Sequence, residues 1–424
     1  MTIKLMTVGA AIALALGSAT AGAADFGDMF SFRGFGTLGI VHSSENQADF
    51  VGSVFQPDGA GYTNDWDLRP GTLLGGQVNA KFNDKFSAVV QAVSQHQYDK
   101  TFTPYIEWAN IKYQVTQDFA VRAGRIVLPA FLISESRFVG FANPWVRPPL
   151  EMYVLSSITN SDGADAVYSF NTGSVKNTLQ AHWGSSKPKL PSGTIDAKSI
   201  WGVNYTVEFG DAKLRAGYFS EDLDLQLSAF DPLISGLNSL AGALRATGFS
   251  TAAGQADAMY RKYRIDETKL GIFTLGGSYD PGKFFVMAEG AIFNGDSILS
   301  DATTAYVTGG YRIKAFTPYV TLATLQSDKL NEPGISTAGL PAPLAAAAAG
   351  LNGGLNAALA STRASQHTAA VGLRWDFMSS ADLKVQYDRI KLDDDTRGRL
   401  SNVQPGFVPG GDVDLVSISV DFIF

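Results

Sequence analysis

The side chains that most often carry catalysis or bind metals are few and scattered in this sequence. No serine, histidine and aspartate stand in the order expected around a nucleophile elbow, no glycine-rich phosphate loop is present, and there is no cysteine. The run Asp393 to Gly398 resembles a calcium loop only faintly, because its bidentate glutamate is missing and Arg397 opposes cation binding. The four histidines, which show no metal-ligand spacing, are His42, His96, His182 and His367. We therefore expect no enzyme, no cofactor, no metal site and no nucleic-acid partner.

Charged side chains are the remaining set that could act together, and which of them meet depends on the elements that carry them. The chain has 424 residues and a formal net charge of −7. Its start is typical of a secretory signal peptide: Lys4, then an apolar run from Leu5 to Leu16, then small residues up to Ala23. We assign residues 1–23 to the signal peptide and residues 24–424 to the mature domain. No later stretch is long and apolar enough to predict a membrane-spanning helix.

The mature chain is dominated by segments of about ten residues in which apolar and polar side chains alternate. At the C-terminus Val416, Ile418 and Val420 share one face, and Ser417 and Ser419 share the other. Such alternation predicts strands that show one face to an apolar medium and one to water. Sixteen segments fit this pattern: 30–43, 70–83, 85–97, 104–115, 119–129, 163–172, 174–185, 198–210, 212–225, 267–280, 283–295, 302–314, 316–328, 366–378, 381–393 and 412–424.

The connections between these segments are of two alternating kinds. Tight turns such as Asn83-Asp84 and Gly210-Asp211 alternate with mostly longer loops, although the loops near 98–103 and 296–301 are short. Within the long loops, residues 232–246 and 343–361 are predicted to form short helices. Short turns on one side and long loops on the other predict an all-β fold, a transmembrane antiparallel β-barrel with its turns on the periplasmic side and its loops outside.

The strand positions that point into the barrel carry charged side chains, which we predict to line its inner wall. Eleven basic side chains against six acidic ones make that wall positive, although the whole chain is negative. Opposed charges across a wet passage bias which ions enter it. The wall residues that we single out are Lys112, Arg122, Arg215, Arg312, Arg374, Lys384, Glu208, Glu289, Asp376 and Asp388.

By strand number, loop alternation and the final Phe424, the whole mature chain resembles the sixteen-stranded Gram-negative porins. The resemblance is architectural and rests on no single motif. It implies a multi-pass protein of the cell outer membrane, in contact with outer-membrane lipid, that lets small hydrophilic solutes and ions diffuse passively. It also implies that Phe424 is the residue which the barrel assembly machinery recognises. A homotrimer would fit the family, but the second loop, which commonly reaches a neighbour there, is very short here.

The resemblance further implies that the third external loop, near 130–162, folds into the barrel and narrows it. This loop is long, aromatic, stiffened by prolines and mixed in charge. Its candidate constriction residues are Glu135, Arg137, Arg147 and Glu151.

Three alternatives stay open on the sequence alone. The barrel could be a substrate-specific channel that prefers anions, which one solute would block saturably. It could instead be a surface adhesin or structural barrel with little conductance, whose long loops bind a partner. An outer-membrane hydrolase is the third alternative, but it lacks a nucleophile constellation.

Overall fold

The computed structural model describes residues 25–424, apart from residues 28, 155–157 and 267. The predicted signal peptide, residues 1–23, lies outside the described residues. Sixteen long strands form one barrel and are numbered here in chain order. They are β1 Phe30–Ser43, β2 Leu73–Lys81, β3 Phe86–Gln95, β4 Tyr105–Gln114, β5 Phe119–Val127, β6 Asn160–Thr172, β7 Val175–Ser186, β8 Gly193–Phe209, β9 Ala212–Leu227, β10 Thr268–Tyr279, β11 Phe284–Gly295, β12 Ala302–Tyr311, β13 Phe316–Ser327, β14 Gln366–Met378, β15 Ala381–Leu392 and β16 Asp412–Ile423.

The alternation seen in the sequence determines which way each side chain points. On β8, Trp201 and Val203 are 46% and 44% exposed on the outer face, whereas Asn204 between such positions is 3% exposed and points inward. The outer face is therefore apolar, as hydrocarbon requires, and the inner face is largely polar. Pairing every strand with two neighbours satisfies the backbone groups without water, which is the condition for spanning a bilayer.

The sheet closes through its first strand. Each strand from β1 to β16 is antiparallel to the next. Residues 30–37 of β1 pair with β2, and residues 35–43 of the same strand pair with β16. The predicted sixteen-stranded antiparallel barrel is thereby confirmed.

The long loops carry helices and short extra strands. Helices α2 Asp231–Ala246 and α4 Ala342–Thr362 confirm the two predicted loop helices. The remaining helices are α1 Leu150–Tyr153, α3 Ser250–Lys262 and a 3-10 turn at Gly140–Ala142, none of which we predicted. Two-residue strands occur at Asp25–Phe26, Asp49–Phe50, Ala60–Gly61, Trp66–Asp67 and Lys189–Leu190. None of the helices in the described part of the chain is long and apolar enough to cross a membrane.

The helices of the two longest loops form an apolar cap over one half of the mouth. Leu237 and Leu244 of α2 and Leu355 of α4 are fully buried in one cluster. The same cluster includes lumen-facing residues of the wall, such as Phe219 in the middle of β9 and Leu223 nearer its loop end. The cap therefore packs against the inner side of β8 to β13, while shorter loops connect β1 to β5.

Candidate functional site

The third loop, residues 128–159, runs inside the barrel along its wall. The guanidinium of Arg215 on β9 donates to the carbonyl of Pro129. The amide of Leu132 donates to the carboxylate of Glu289 on β11 at 2.7 Å. Because successive loop residues bond to successive strands, the loop follows the circumference of the barrel.

The middle of the third loop is anchored by a tryptophan. Trp145 is 1% exposed, and its indole Nε1 donates to the hydroxyls of Thr308 on β12 at 2.9 Å and Thr321 on β13 at 3.0 Å. The amide of Val146 donates to the side-chain oxygen of Gln386 on β15 at 3.2 Å. A buried indole needs such a partner, and the two hydroxyls fix where this part of the loop lies.

A buried ionic cluster holds the loop segment around the 3-10 turn. The ammonium of Lys384 on β15 donates to the carbonyl of Gly140 at 2.7 Å and lies 2.9 Å from the carboxylate of Asp421 on β16. The guanidinium of Arg374 on β14 donates to the carbonyl of Asn143 at 3.1 Å. We call Lys384, Arg374 and Asp421 the loop latch.

The two arginines proposed for the constriction are both inside the barrel. Arg137 donates to the backbone carbonyl of Tyr153 and lies 5.9 Å from the centre of its ring. Arg147 lies 4.7 Å from the centre of the Phe50 ring and 3.6 Å from the carboxylate of Asp388 on β15. Each guanidinium therefore has an aromatic neighbour as well as a polar one.

The two acidic residues of the loop differ from each other. Glu151 is 2% exposed and accepts hydrogen bonds from the side chains of Gln366, at 2.6 Å, and Thr368 on β14. Its role is therefore to hold the loop to the wall. Glu135 is exposed, and its charge acts on Arg122 and Arg215 of the wall.

The structure corrects the prediction of a water-lined wall for half of the wall residues. Arg215, Glu289, Arg374, Lys384 and Asp388 do point inward, but the third loop covers them. Lys384 has a fully buried side chain, and Asp388 is 6% exposed. Alternation identifies the inner face of a strand but contains no information on what packs against that face.

The other five wall residues lie at the turn end of the barrel. Lys112 and Arg122 line a cavity of ≈ 920 Å³ there, which we call the turn-side cavity. Glu208 and Asp376 form ion pairs with neighbouring basic side chains. Arg312 lies in the turn after β12, where it is paired with Asp280 of the adjacent turn at 2.6 Å and lies 5.4 Å from the centre of the buried Phe285 ring.

A second cavity, which we call the loop-side cavity, lies at the loop end of β1 to β5 and has a volume of ≈ 400 Å³. The third loop forms one side of it, and the first, second and fourth loops form the others. The cationic side chains that line it are Arg125, Arg137, Arg147, Lys187 and Lys189. The aromatic side chains that line it are Phe55, Tyr98, Tyr105, Phe138, Trp145 and Tyr153. A hydrogen bond to Asp196 raises the pKa of Lys187.

Sequence reasoning missed most of the lining of the loop-side cavity. Lys187 and Lys189 belong to the short hairpin before β8, and Tyr98 belongs to the second loop. Only the folding of these loops toward one another brings them together. No sequence pattern within any one loop predicts this.

Phe424 continues the pairing that closes the barrel. Its amide donates to the carbonyl of Gly34 at 2.9 Å, and the amide of Gly34 donates back to the Phe424 carbonyl at 2.7 Å. The ring of Phe424 stacks with that of Phe422 at an angle of 22°, with 6.2 Å between their centres. Both rings cover glycines of β1 on the outer face of the barrel.

One histidine lies beside the acidic run near residue 394: the Nε2 of His367 is 3.5 Å from the carboxylate of Asp393. Across the described ranges, no three histidine or carboxylate side chains come together in a way that could hold a metal ion. Asp395 of the acidic run is paired with Lys329, at 2.7 Å, and with Arg363.

No protein-family model and no curated protein matches the sequence. Solved structures do match. The anion-selective porin from Comamonas acidovorans superimposes with a TM-score of 0.53 at 10% identity, over 93% of this chain and 99% of that one. The outer membrane channel DcaP of Acinetobacter baumannii gives 0.53 at 13% identity, over 95% and 99%. OmpF of Salmonella typhi, in complex with daunomycin, gives 0.51 at 13% identity, over 93% and 97%.

These likenesses extend over nearly the whole chain at very low identity. They therefore establish the fold, that of outer-membrane porins and channels.

Proposed function

We propose that this chain forms a water-filled channel through the outer membrane, by which small hydrophilic solutes and ions diffuse passively, and that it catalyses no reaction. The observation that best supports this proposal is the course of the third loop. It lies along the inner wall from β9 to β15 and leaves a cavity on its loop side and another on its turn side, both along β1 to β5. A barrel of sixteen strands is wide enough to keep an aqueous passage beside such a loop.

The charged side chains beside the third loop support the proposal that the channel selects among ions. Arg122 on the wall is paired with Asp165 at 2.9 Å, and the charge of Glu135 on the loop also acts on it. Lys112 lies next to Arg122 in the turn-side cavity. Opposite charges placed across a narrow passage produce a transverse field that orients and selects solutes. The constriction formed by Glu135, Arg137, Arg147 and Glu151 remains a proposal, with Glu151 in the supporting role described above.

Conductance in planar lipid bilayers tests the proposed function. Purified protein should insert in discrete current steps that grow with salt concentration. Single-channel currents near zero, from protein that migrates as a folded barrel, would instead favour an adhesin or a structural barrel.

A preference for anions is the second candidate, and the cations of the loop-side cavity favour it. One structural neighbour is described as an anion-selective porin, although that likeness concerns the fold alone. Under a salt gradient, Arg137→Ala and Arg147→Ala should shift the reversal potential toward cation selectivity. Removing a charge about 4 Å from an ion costs roughly 1 kcal/mol in water, and the Debye length falls from about 10 Å at 0.1 M to about 3 Å at 1 M. The shift should therefore appear at 0.1 M salt and almost vanish at 1 M.

A matched control for these variants is Arg245→Ala. Arg245 is an exposed arginine of α2 that is paired with Asp257 outside both cavities. It should leave the reversal potential unchanged. Equal potentials for wild type, Arg137→Ala and Arg147→Ala at low salt would remove both arginines from the constriction.

The partners of this chain remain predictions. We propose that the apolar outer face contacts outer-membrane lipid, that the barrel assembly machinery inserts the chain, and that three copies associate as a homotrimer. Native mass spectrometry of the detergent-extracted protein distinguishes one copy from three.

A further inference from the structure

Two arginines of the last external loop, residues 393–411, have no acceptor for their guanidinium groups. Within the described ranges, the guanidinium groups of Arg397 and Arg399 form no hydrogen bond and no ion pair, and the Nε of Arg399 is buried without a partner. A guanidinium carries several N–H donors and no acceptor, so burying it without a partner is costly. Both side chains are still partly exposed, so a ligand can reach them from water.

The buried carboxylate nearest to this pair is already occupied. The charge of Glu151 acts on Arg399, but its carboxylate accepts hydrogen bonds from Gln366 and Thr368 and forms no ion pair with either arginine. Glu151 therefore offsets part of the positive charge from a distance. It does not take up the guanidinium donors.

The three aspartates of the loop itself do not pair with the two arginines either. Asp395 is paired with two cations of the neighbouring loop, and Asp393 lies 3.5 Å from the Nε2 of His367. Asp394 is exposed and forms no ion pair with any described residue. The loop therefore contains acidic side chains, but none of them supplies the missing acceptor.

The two guanidinium groups lie close enough to affect each other. Burial lowers the pKa of both arginines. In Arg399 burial is the larger cause and the charge of Arg397 the second, and together they lower its pKa to about 10 although the charge of Glu151 opposes them. Both arginines stay charged at neutral pH, so an anion between them would relieve their repulsion.

The turn that carries both arginines is fixed to the wall of the barrel. Thr396 is 2% exposed, and its hydroxyl donates to the carbonyl of Ser365 at 2.9 Å and accepts from the amide of Gly398 at 3.1 Å. The amide of Arg399 donates to the side-chain oxygen of Gln366 at 2.8 Å. Because two residues of a chain span at most about 7 Å, both side chains can contact one small ligand. A turn that is already ordered lowers the entropic cost of binding.

We propose that Arg397 and Arg399 form a binding site for a phosphate group, carried by inorganic phosphate or by a small phosphate monoester. The inference rests on the proposed function in one respect, because it takes the ligand to be a solute that enters from the mouth of the channel. A phosphate has enough oxygens for each guanidinium to donate two hydrogen bonds. A carboxylate has only two oxygens, which a single guanidinium already occupies.

The placement of the pair favours a solute over the phosphate of a lipid headgroup. Gln366, which holds the backbone of Arg399, is 2% exposed and also donates to Glu151 of α1 inside the barrel at 2.6 Å. The next residue of β14, His367, is exposed on the outer face, from which a lipid would approach. The turn is therefore attached to the inner side of the wall.

Titration calorimetry of the detergent-extracted protein tests the proposal. Sodium phosphate, glycerol 3-phosphate and sodium acetate are each titrated near neutral pH at about 0.1 M sodium chloride, where charges within about 10 Å still interact. Both phosphates should bind saturably and at least about tenfold more tightly than acetate. Arg397→Gln and Arg399→Gln should each weaken phosphate binding about tenfold or more, because each removes charge-assisted hydrogen bonds. Arg399→Lys should bind with intermediate affinity, because an ammonium keeps the charge without the planar fork.

Arg261→Gln is the matched control. Arg261 is an exposed arginine of α3 that forms no ion pair with any described residue, so its replacement should leave phosphate binding unchanged. Heat-modifiable migration of every variant checks that the barrel has folded. If Arg399→Gln does not fold, Arg397→Gln and Arg399→Lys still decide on the site.

The outcomes separate this inference from the channel itself. Equal weak binding of phosphate and acetate would overturn the site, whatever current the chain passes. Phosphate binding that Arg397→Gln and Arg399→Gln both leave intact would overturn its assignment to these arginines. Binding of phosphatidic acid in mixed micelles, without binding of inorganic phosphate, would overturn the solute in favour of a lipid. Calorimetry needs no conductance, so a chain that passes no current would refute the proposed function and leave this measurement valid.

Discussion

Replacing Lys384 by Met tests whether the loop latch holds the third loop in place. The ammonium of Lys384 is completely buried and contacts the Gly140 carbonyl at 2.7 Å and the Asp421 carboxylate at 2.9 Å. Methionine has a similar length but no charge, so it leaves Asp421 with its charge uncompensated in the interior. It also leaves the Gly140 carbonyl without this donor.

The expected size of the effect follows from that burial. Removing one partner of a buried ion pair costs about 3–5 kcal/mol, mainly because the other charge remains buried. Replacing Asp421 by Asn as well should recover part of this loss. The double-mutant cycle should then give a coupling energy of about 2–3 kcal/mol, at the upper end of values for residues in contact. An exposed pair, by contrast, is worth about 0–1 kcal/mol.

The measurement is guanidinium unfolding in phospholipid vesicles, followed by tryptophan fluorescence. The pair Lys176 and Glu208 is the control, because its atoms are also 2.9 Å apart but its side chains are 56% and 39% exposed. Open-channel current noise gives a second reading, since a released loop should make the current fluctuate more. A Lys384→Met protein within about 0.5 kcal/mol of wild type, with quiet currents, would refute the latch.

Three further predictions use single substitutions. Gly140→Ala should raise the current noise, because a Cβ there would overlap the Asp421 carboxylate, whereas Gly350→Ala, on a helix with open space, should behave as wild type in the same recordings. Phe424→Asp should sharply lower the yield of folded barrel in outer membranes; a charge near the interface costs only about 0–1 kcal/mol, so a normal yield would refute its role in assembly. Burial lowers the pKa of His96 below its ordinary value of 6.5, so the folded second loop binds a proton less readily than the unfolded loop. The stability of the folded loop should therefore fall as the pH drops through 6.5. Limited proteolysis at pH 7 and pH 5, with His96→Gln as the variant that should lose the difference, measures this.

The strands could be predicted from the sequence because lipid outside and polar groups inside impose a period of two on each of them. The prediction failed locally where that period breaks. Strand β8 begins at Gly193, not at residue 198, and its register shifts between Ala197 and Ser199. A bulge of this kind puts neighbouring side chains on unexpected faces, which concealed the first part of the strand.

Helix α3 escaped prediction for a different reason. Its buried face consists of Ala252, Ala253, Ala256 and Met259, interspersed with glycine and polar residues. Small side chains give a weak apolar pattern, and the helix is stabilised by packing against α2 rather than by its own sequence.

The site was the least predictable part. The inward direction of Lys384 and Arg374 followed from alternation, but their burial did not. That burial depends on the third loop following the inner wall as far as β15, a contact between residues more than two hundred positions apart. Local patterns cannot specify such a contact, and the same limit applies to the four loops that meet at the loop-side cavity.

Strand β1 pairs with both β2 and β16, and this has a consequence for the assembly of the barrel. Residues 35–37 of this strand have partners on both sides only when β16 has arrived, since they pair with β2 on one edge and with β16 on the other. Until then the growing sheet has two open edges, and open edges of this length are templates for wrong pairing and aggregation. Joining edges so distant in sequence is intrinsically slow. A chain that stops before β16 is therefore an open sheet with two unpaired edges and not a slightly weakened barrel. Pairing of the last strand with β1 removes both edges and with them the sites of wrong pairing.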